Sequence, residues 1–315
     1  MNKNKPLIDR FIDFNKLHRI GHRKKECLLA VSGGIDSVVL TDLFAAAGFP
    51  FAIAHCNFNL RGEESNADSR FVRNLANQYK VKAYVKVFDT TRYAEEHKIS
   101  IQVAARRLRY EWFAEICTQK GYGLIITAHH LNDNIETILY NLAKGAGIRG
   151  LRGIPVRQGN IARPLLFASR SEIEAYQRDK NLEFREDSSN AEDKYARNKI
   201  RHHVIPVLQE LNPSFEKTLA EKIGLLTEIE GLYNQRISRL SKQLFVERKG
   251  NVYIPLLKIK KTKNVSSVLF EYLKNYGFNS TQVEDMLAAI DEPPGKQFLS
   301  DKARIIKDRR FFILT

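Results

Sequence analysis

The chain has 315 residues, 43% of them hydrophobic, and carries 51 Lys and Arg against 36 Asp and Glu, a formal net charge of +15. A single core rarely grows past about 250–300 residues, so two domains are expected. No run approaches the roughly 18 apolar residues of a membrane helix, and the amino-terminal MNKNKPLIDRFIDF sets acids among its apolar positions, so a cytoplasmic protein without membrane contact is expected.

In chain order, ECLLAV (26–31), FAIAHC (51–56), VKAYVKVF (81–88) and LIITA (124–128) read as strands, with helical patterns at 36–47, 65–80 and 102–119 between them. This alternation predicts an α/β fold, a parallel doubly wound sheet whose ligand crevice lies beyond the carboxyl ends of its strands. A helix is expected at 131–142, followed by KGAGIRGLRGIPVRQGN (144–160), whose glycine density predicts a mobile loop. In SRSEIEAYQRDKN (169–181), Ser169 and Glu172 have capping-box spacing, so a helix begins there. Residues 214–247 read as one long amphipathic helix leaving the first domain. Helical patterns at 265–276 and 281–290 and the strand-like KQFL, ARIIKD and RFFILT suit a small α+β domain. The expected division is a catalytic domain at 1–213, a connecting helix at 214–247 and a small domain at 248–315.

The positive charge is concentrated. Lys144 to Arg170 holds six basic residues and no acid, and Arg236 to Lys263 holds nine against the single acid Glu247. Clustering of this kind fits either a solvated basic face or a polyanionic partner. Cys27, Cys56 and Cys117 have neither CxxC nor His/Cys zinc spacing, which argues against a disulfide framework or a thiolate metal site.

The first predicted strand runs directly into SGGIDS (32–37) and then a helix. Strand, two-glycine loop and helix amino terminus together offer backbone N–H groups to an anion. Ser32, Gly33, Gly34, Ile35, Asp36 and Ser37 are therefore the candidate nucleotide loop. Asp36 would repel phosphate directly, and its expected role is to hold a Mg²⁺ bridging the phosphates. No GK[ST] follows the glycines, so this is not a P-loop. SGGIDS resembles instead the PP-loop of the N-type ATP pyrophosphatases, and the resemblance implies cleavage of ATP between the α- and β-phosphates.

Further segments narrow the resemblance: HCNFNLRGEES (55–65), AARRLRYEWF (104–113), TAHHLNDNIET (127–137), GAGIRGLRGIP, RPLL and EDSSNAEDKYARNKIRHHVIP (186–206). Together these are similar to the tRNA(Ile)-lysidine synthetases from about residue 26 to 206. The resemblance implies that free L-lysine is joined to C2 of the wobble cytidine of a minor isoleucine tRNA, with ATP and Mg²⁺, through an adenylated base. On a helix, His129, Asp133 and Glu136 fall at i, i+4 and i+7, all on one face at the end of a strand. That trio is compatible with a lysine-binding pair of carboxylates, a metal site or a solvated helix face. The resemblance favours catalysis, with Asp133 and Glu136 holding the lysine α-ammonium and Arg109 stabilising developing negative charge. Arg149, Arg152, Arg197 and Arg201 are the candidate tRNA contacts, and the small domain is expected to touch tRNA as well. Many members of the family carry a further carboxyl-terminal domain that grips the acceptor stem, whereas this sequence stops at FFILT. Competing expectations are a PP-loop tRNA thiolase, which needs paired or persulfide-forming cysteines, and a catalytically inactive tRNA-binding protein.

Overall fold

The computed structural model describes residues 5–21, 25–186 and 196–315, and divides the chain into two compact units, 1–224 and 225–315. Residues 187–195 of the late signature segment lie outside the described residues.

The first unit is built on a six-stranded sheet: β1 (Cys27–Ala30), β2 (Phe51–Asn57), β3 (Ala83–Val87), β4 (Ile125–Ile126), β5 (Arg157–Gln158) and β6 (Ile161–Ala162), in the order β3-β2-β1-β4-β6-β5. All pairings are parallel except the β5–β6 hairpin. Alternate residues of each strand face opposite helical layers. Leu29, Ile53 and Ile126 pack with α1 (Leu7–His18), α2 (Ile35–Ala46), α3 (Glu63–Gln78) and α8 (Arg170–Asp179). Leu28, Ala52, Ala54 and Ile125 face α5 (Ile101–Lys120), through Phe113, Ile116 and Cys117. The sheet is thus doubly wound. The chain moves outward from β1 through β2, α3 and β3, passes α4 (Thr90–Glu96) and α5, and returns to β4 on the other side of β1. That reversal opens a crevice beyond β1 and β4, where an α/β sheet binds its ligand.

Beyond β4, α6 (Leu131–Ala143) leads to the short α7 (Ile148–Leu151). After residue 195 come α9 (Ala196–Lys199), a π-helical turn at Ile200–Val204 and α10 (Ile205–Leu211). The π turn has a local cause. Pro206 has no N–H for an α-helical bond, and the Ile205 N–H reaches back to the Ile200 carbonyl. Ile200 and Ile205 pack on Leu131 and Ile135 of α6, fixing this segment against the helix beyond β4.

One 30-residue helix, α11 (Phe215–Leu244), occupies most of the stretch read as long and amphipathic. The second unit closes an antiparallel sheet, β7-β8-β11-β10-β9, from β7 (Val246–Arg248), β8 (Asn251–Pro255), β9 (Gln297–Leu299), β10 (Arg304–Lys307) and β11 (Phe311–Leu314). Helices α12 (Leu256–Lys261), α13 (Val265–Leu273) and α14 (Ser280–Ala288) complete it, around a core that includes Ile254, Leu269, Val283, Ile305 and Phe312. Part of the basic 236–263 stretch is structural: Lys258 donates to the Gln243 carbonyl at 2.6 Å and Lys260 pairs with Asp291. Among the described residues no helix is long and apolar enough to cross a membrane.

Candidate active site

Ser32–Ser37 links β1 to α2 at the crevice. Gly33 has φ +99°, a left-handed value that favours glycine. Two serines hold the turn: the Gly33 N–H donates to Ser37 Oγ at 3.1 Å, Ser37 Oγ donates to the Gly34 carbonyl at 2.8 Å, and the Gly34 N–H donates to Ser32 Oγ at 3.3 Å. The serines therefore shape the loop. Ile35 and Asp36 begin α2, where first-turn N–H groups have no intrahelical acceptor and the helix dipole favours an anion. Arg185 crosses the loop, its N–H donating to the Gly33 carbonyl at 2.9 Å and its Nε to Asp68 at 3.0 Å.

Asp36 lies within a charged cluster drawn from α2, α6 and α8. Arg170 Nη1 donates to both Asp36 oxygens at 2.9 Å, while its Nε donates to Glu174 at 2.7 Å. His130 Nε2 is 3.8 Å from Asp36 and 3.6 Å from Asp133, so one imidazole stands between two carboxylates. Burial pushes the Asp36 carboxyl above its usual range, against the downward pull of His130 and Arg170, and Asp133 pushes the same way as burial. Glu136, only 2% exposed, accepts from Arg201 Nε at 2.7 Å and Nη2 at 3.2 Å, and burial raises its carboxyl despite that partner. Arg201 Nη2 is also 3.9 Å from Asp133.

The helix carrying the acids starts at Leu131, as expected, which is two residues later than the i, i+4, i+7 spacing from His129 requires. His130 is the N-cap of α6: its side chain accepts from the Asn132 N–H at 3.2 Å, and Asp133 accepts from the His130 N–H at 2.9 Å. His129 precedes the helix, with Nδ1 2.8 Å from Thr127 Oγ1, and so does not share its face with Asp133 and Glu136. Burial lowers the His129 pKa to about 4. Sequence reasoning missed His130, although its three-residue spacing to Asp133 repeats that of Ser169 and Glu172. It also counted Arg170 as part of a basic loop, when the residue opens α8 and pairs with Asp36.

The other candidates lie apart from this cluster in different degrees. Arg109, half-buried on α5, sits over the Phe58 ring at 5.1 Å, just beyond β2. Arg149 is exposed on α7 and Arg152 follows it directly. Arg197 is exposed on α9, close enough to help depress the His129 pKa. The stretch from 144 to 160 is not uniformly loose. Gly153 packs against Asn134 of α6, whose Oδ1 accepts from the Ile154 N–H at 2.6 Å. Arg163 is buried and donates to the Pro155 carbonyl at 2.7 Å, so it is a structural cation.

A glycine-hinged phosphate loop at the reversal point of a parallel sheet, without a P-loop lysine, defines a PP-loop α/β domain. A family model described as PP-loop domain matches residues 8–208, and one described as TilS substrate binding domain matches residues 247–315. The tRNA(Ile)-lysidine synthase of Bacteroides thetaiotaomicron is 44% identical over 287 residues, covering 91% of this chain and 66% of that protein. That of Petrotoga mobilis is 35% identical over 230 residues, covering 72% of each. The chain belongs to the tRNA(Ile)-lysidine synthase family. It spans 66% of the length of the Bacteroides relative and 64% of the Porphyromonas gingivalis W83 one. Among solved structures, the U34-tRNA thiolase NcsA of Methanococcus maripaludis has TM-score 0.57 at 13% identity, covering 70% of this chain and 79% of that one, a likeness of fold alone.

Proposed function

We propose that this chain uses ATP to adenylate the wobble cytidine of a minor isoleucine tRNA and then joins free lysine to the activated C2 carbon, giving lysidine. The observation that carries the reading is the meeting, in one crevice, of a phosphate loop and a cluster of three carboxylates, Asp36, Asp133 and Glu136, with His130 between the first two. A loop of this shape receives phosphates, and two acids on the adjoining helix suit the ammonium of an amino acid.

In the first step the C2 oxygen attacks the α-phosphorus, the bond to the bridging oxygen breaks and pyrophosphate leaves. In the second the lysine ε-amine attacks C2, AMP departs with the former C2 oxygen and the amine loses a proton. Ile35 and Asp36 N–H groups bind phosphate, and Arg109 lies beyond β2, where a side-chain cation opposes charge developing on phosphate or base. Asp133 and Glu136 hold the lysine α-ammonium, and that ammonium competes with Arg201 for Glu136. Mg²⁺ fits Asp36, a carboxylate at the loop whose charge the neighbouring Asp133 opposes, because Mg²⁺ is commonly held by one or two carboxylates with substrate phosphates. Bound there, it supplies neutralisation of phosphate charge. Arg149, Arg152 and Arg197 offer cations to the anticodon arm, and the 248–315 unit contributes further tRNA contacts.

The thiolase reading is not favoured. Burial pushes the Cys27 and Cys117 thiols up to about 11 and Cys56 to about 12, which keeps them protonated and poor sulfur carriers. The test is incubation of a cytidine-anticodon isoleucine tRNA with the chain, ATP, Mg²⁺ and lysine, followed by mass spectrometry of the wobble nucleoside. The expected product gains the mass of lysine less one water. An unchanged nucleoside with ATP–pyrophosphate exchange intact would refute lysine transfer, and loss of exchange as well would leave a tRNA-binding protein.

A further inference from the structure

Arg170 occupies an unusual place. It is the first residue of α8, and its N–H donates to Asn132 Oδ1 of α6 at 2.9 Å, so its backbone is tied to the helix that carries Asp133 and Glu136. Arg10 of α1 pairs with Glu172, which caps α8 by accepting from the Ser169 N–H at 2.8 Å, so the helix start is held from a second side. The guanidinium is divided: Nε is anchored on Glu174 while Nη1 sits symmetrically on both Asp36 oxygens. With a side chain 41% exposed, the guanidinium is open to solvent on one side, and it has in Glu174 a second carboxylate partner besides Asp36.

The position of Nη1 is the one a cation bound to both Asp36 oxygens would take. Among the described residues, His130, Arg170 and Arg201 offset the charge of Asp36, while the Asp133 carboxylate opposes it. A guanidinium also carries a fork of donors matched to phosphate oxygens, and this one lies beside the loop where phosphates are read to bind. We propose that Arg170 is the resident counter-ion of Asp36 in the nucleotide-free protein, yields Asp36 to the divalent cation that accompanies the nucleotide, and then turns its freed donors to the β-phosphate and the departing pyrophosphate. This rests on the reading of Asp36 as the divalent-cation ligand.

The exchange predicts that removing a positive charge improves metal binding. An opposite charge within about 4–6 Å shifts a carboxylate's proton affinity by about 1–3 units, so about a tenfold or greater effect is expected for a competing cation. Mn²⁺ binding is measured by electron paramagnetic resonance on the full chain without nucleotide, for wild type, R170Q, R170K and D36N, with thermal midpoints as folding controls. R170Q is expected to bind Mn²⁺ about tenfold or more tightly than wild type, R170K to stay near wild type, and D36N to bind more weakly than wild type. Pyrophosphate binding by R170Q, measured by calorimetry with Mg²⁺ present, is expected to weaken by about tenfold, the order of one charge-assisted bond. Should R170Q be unfolded, Arg170→Ala, compatible with this first helical position, replaces it. Mn²⁺ affinity in R170Q equal to wild type, with D36N impaired, would overturn the counter-ion role alone, and unchanged pyrophosphate binding would overturn the transfer to phosphate. Wild-type Mn²⁺ affinity in D36N, with and without ATP, would overturn the reading of Asp36 itself.

Discussion

Gly153→Ala is expected to destabilise the first unit by about 3 kcal/mol, the sum of a backbone and a hydrogen-bond cost. Gly153 has φ +74°, and a Cβ built there lies 1.9 Å from Asn134 Oδ1 and 2.9 Å from both Asn134 Cγ and Ile138 Cγ1. Holding alanine in a left-handed conformation costs about 1–2 kcal/mol. The Asn134 amide, which is buried, must also swing away from the Ile154 N–H, and leaving such a group unpaired costs about 1–3 kcal/mol. For a folding unit of this size the midpoint falls by about 2–4 °C per kcal/mol, so a drop of about 6–12 °C is expected. Urea unfolding with an unchanged m-value, together with a thermal scan, measures it. Asn134 lies next to Asp133 and two residues before Glu136, so lysine dependence should suffer in the surviving folded fraction as well. A loss below about 0.5 kcal/mol, the range of an ordinary surface substitution, would show that the 144–160 segment yields freely and that its packing against α6 is incidental.

Three further outcomes test the site. Glu136→Gln should raise the KM for lysine by about tenfold to a hundredfold, the weight of one charge-assisted bond of about 1.5–3 kcal/mol, and leave ATP affinity near wild type; steady-state kinetics with lysine varied decides it, and the opposite pattern assigns Glu136 to the nucleotide. The double variant Arg149→Ala, Arg152→Ala should weaken tRNA binding most at low salt, flattening the log–log salt slope by about 0.7–0.9 for each phosphate no longer neutralised; a slope and affinity equal to wild type would leave both arginines as solvated surface. Because burial holds His129 at about 4 against an ordinary 6.5, the unfolded chain binds a proton in that window that the folded chain refuses. Stability contributed by this group is therefore intact above pH 6.5 and is lost as pH falls toward 4, and His129→Gln should flatten that part of the acid-unfolding curve. An identical acid profile in the variant would place His129 in solvent.

What the sequence determined by itself were the elements whose signals are local. Apolar runs of four to seven residues announced β1 and β2, the capping pair Ser169 and Glu172 announced α8, and SGGIDS between an apolar run and a helix announced the phosphate loop. Each depends on periodicity, turn chemistry or capping within a few residues, and such preferences operate before distant parts of the chain meet. Helix α6 starts at Leu131, as the sequence reading expects, but a histidine N-cap lies outside the usual Ser, Thr, Asp and Asn set, so spacing alone counts His129 on a helix face that begins two residues after it and overlooks His130, which stands between the carboxylates. The charge partners were decided only by tertiary structure. Arg170 is 134 residues from Asp36 and Arg201 is 65 from Glu136; in sequence the first reads as the end of a basic stretch and the second as a candidate tRNA contact. Their partners are set by the reversal of strand order between β1 and β4, and by Ile200 and Ile205 packing on Leu131 and Ile135. A charge pattern along a chain records how many cations are available, whereas burial and long-range packing determine which of them an acid takes out of solvent.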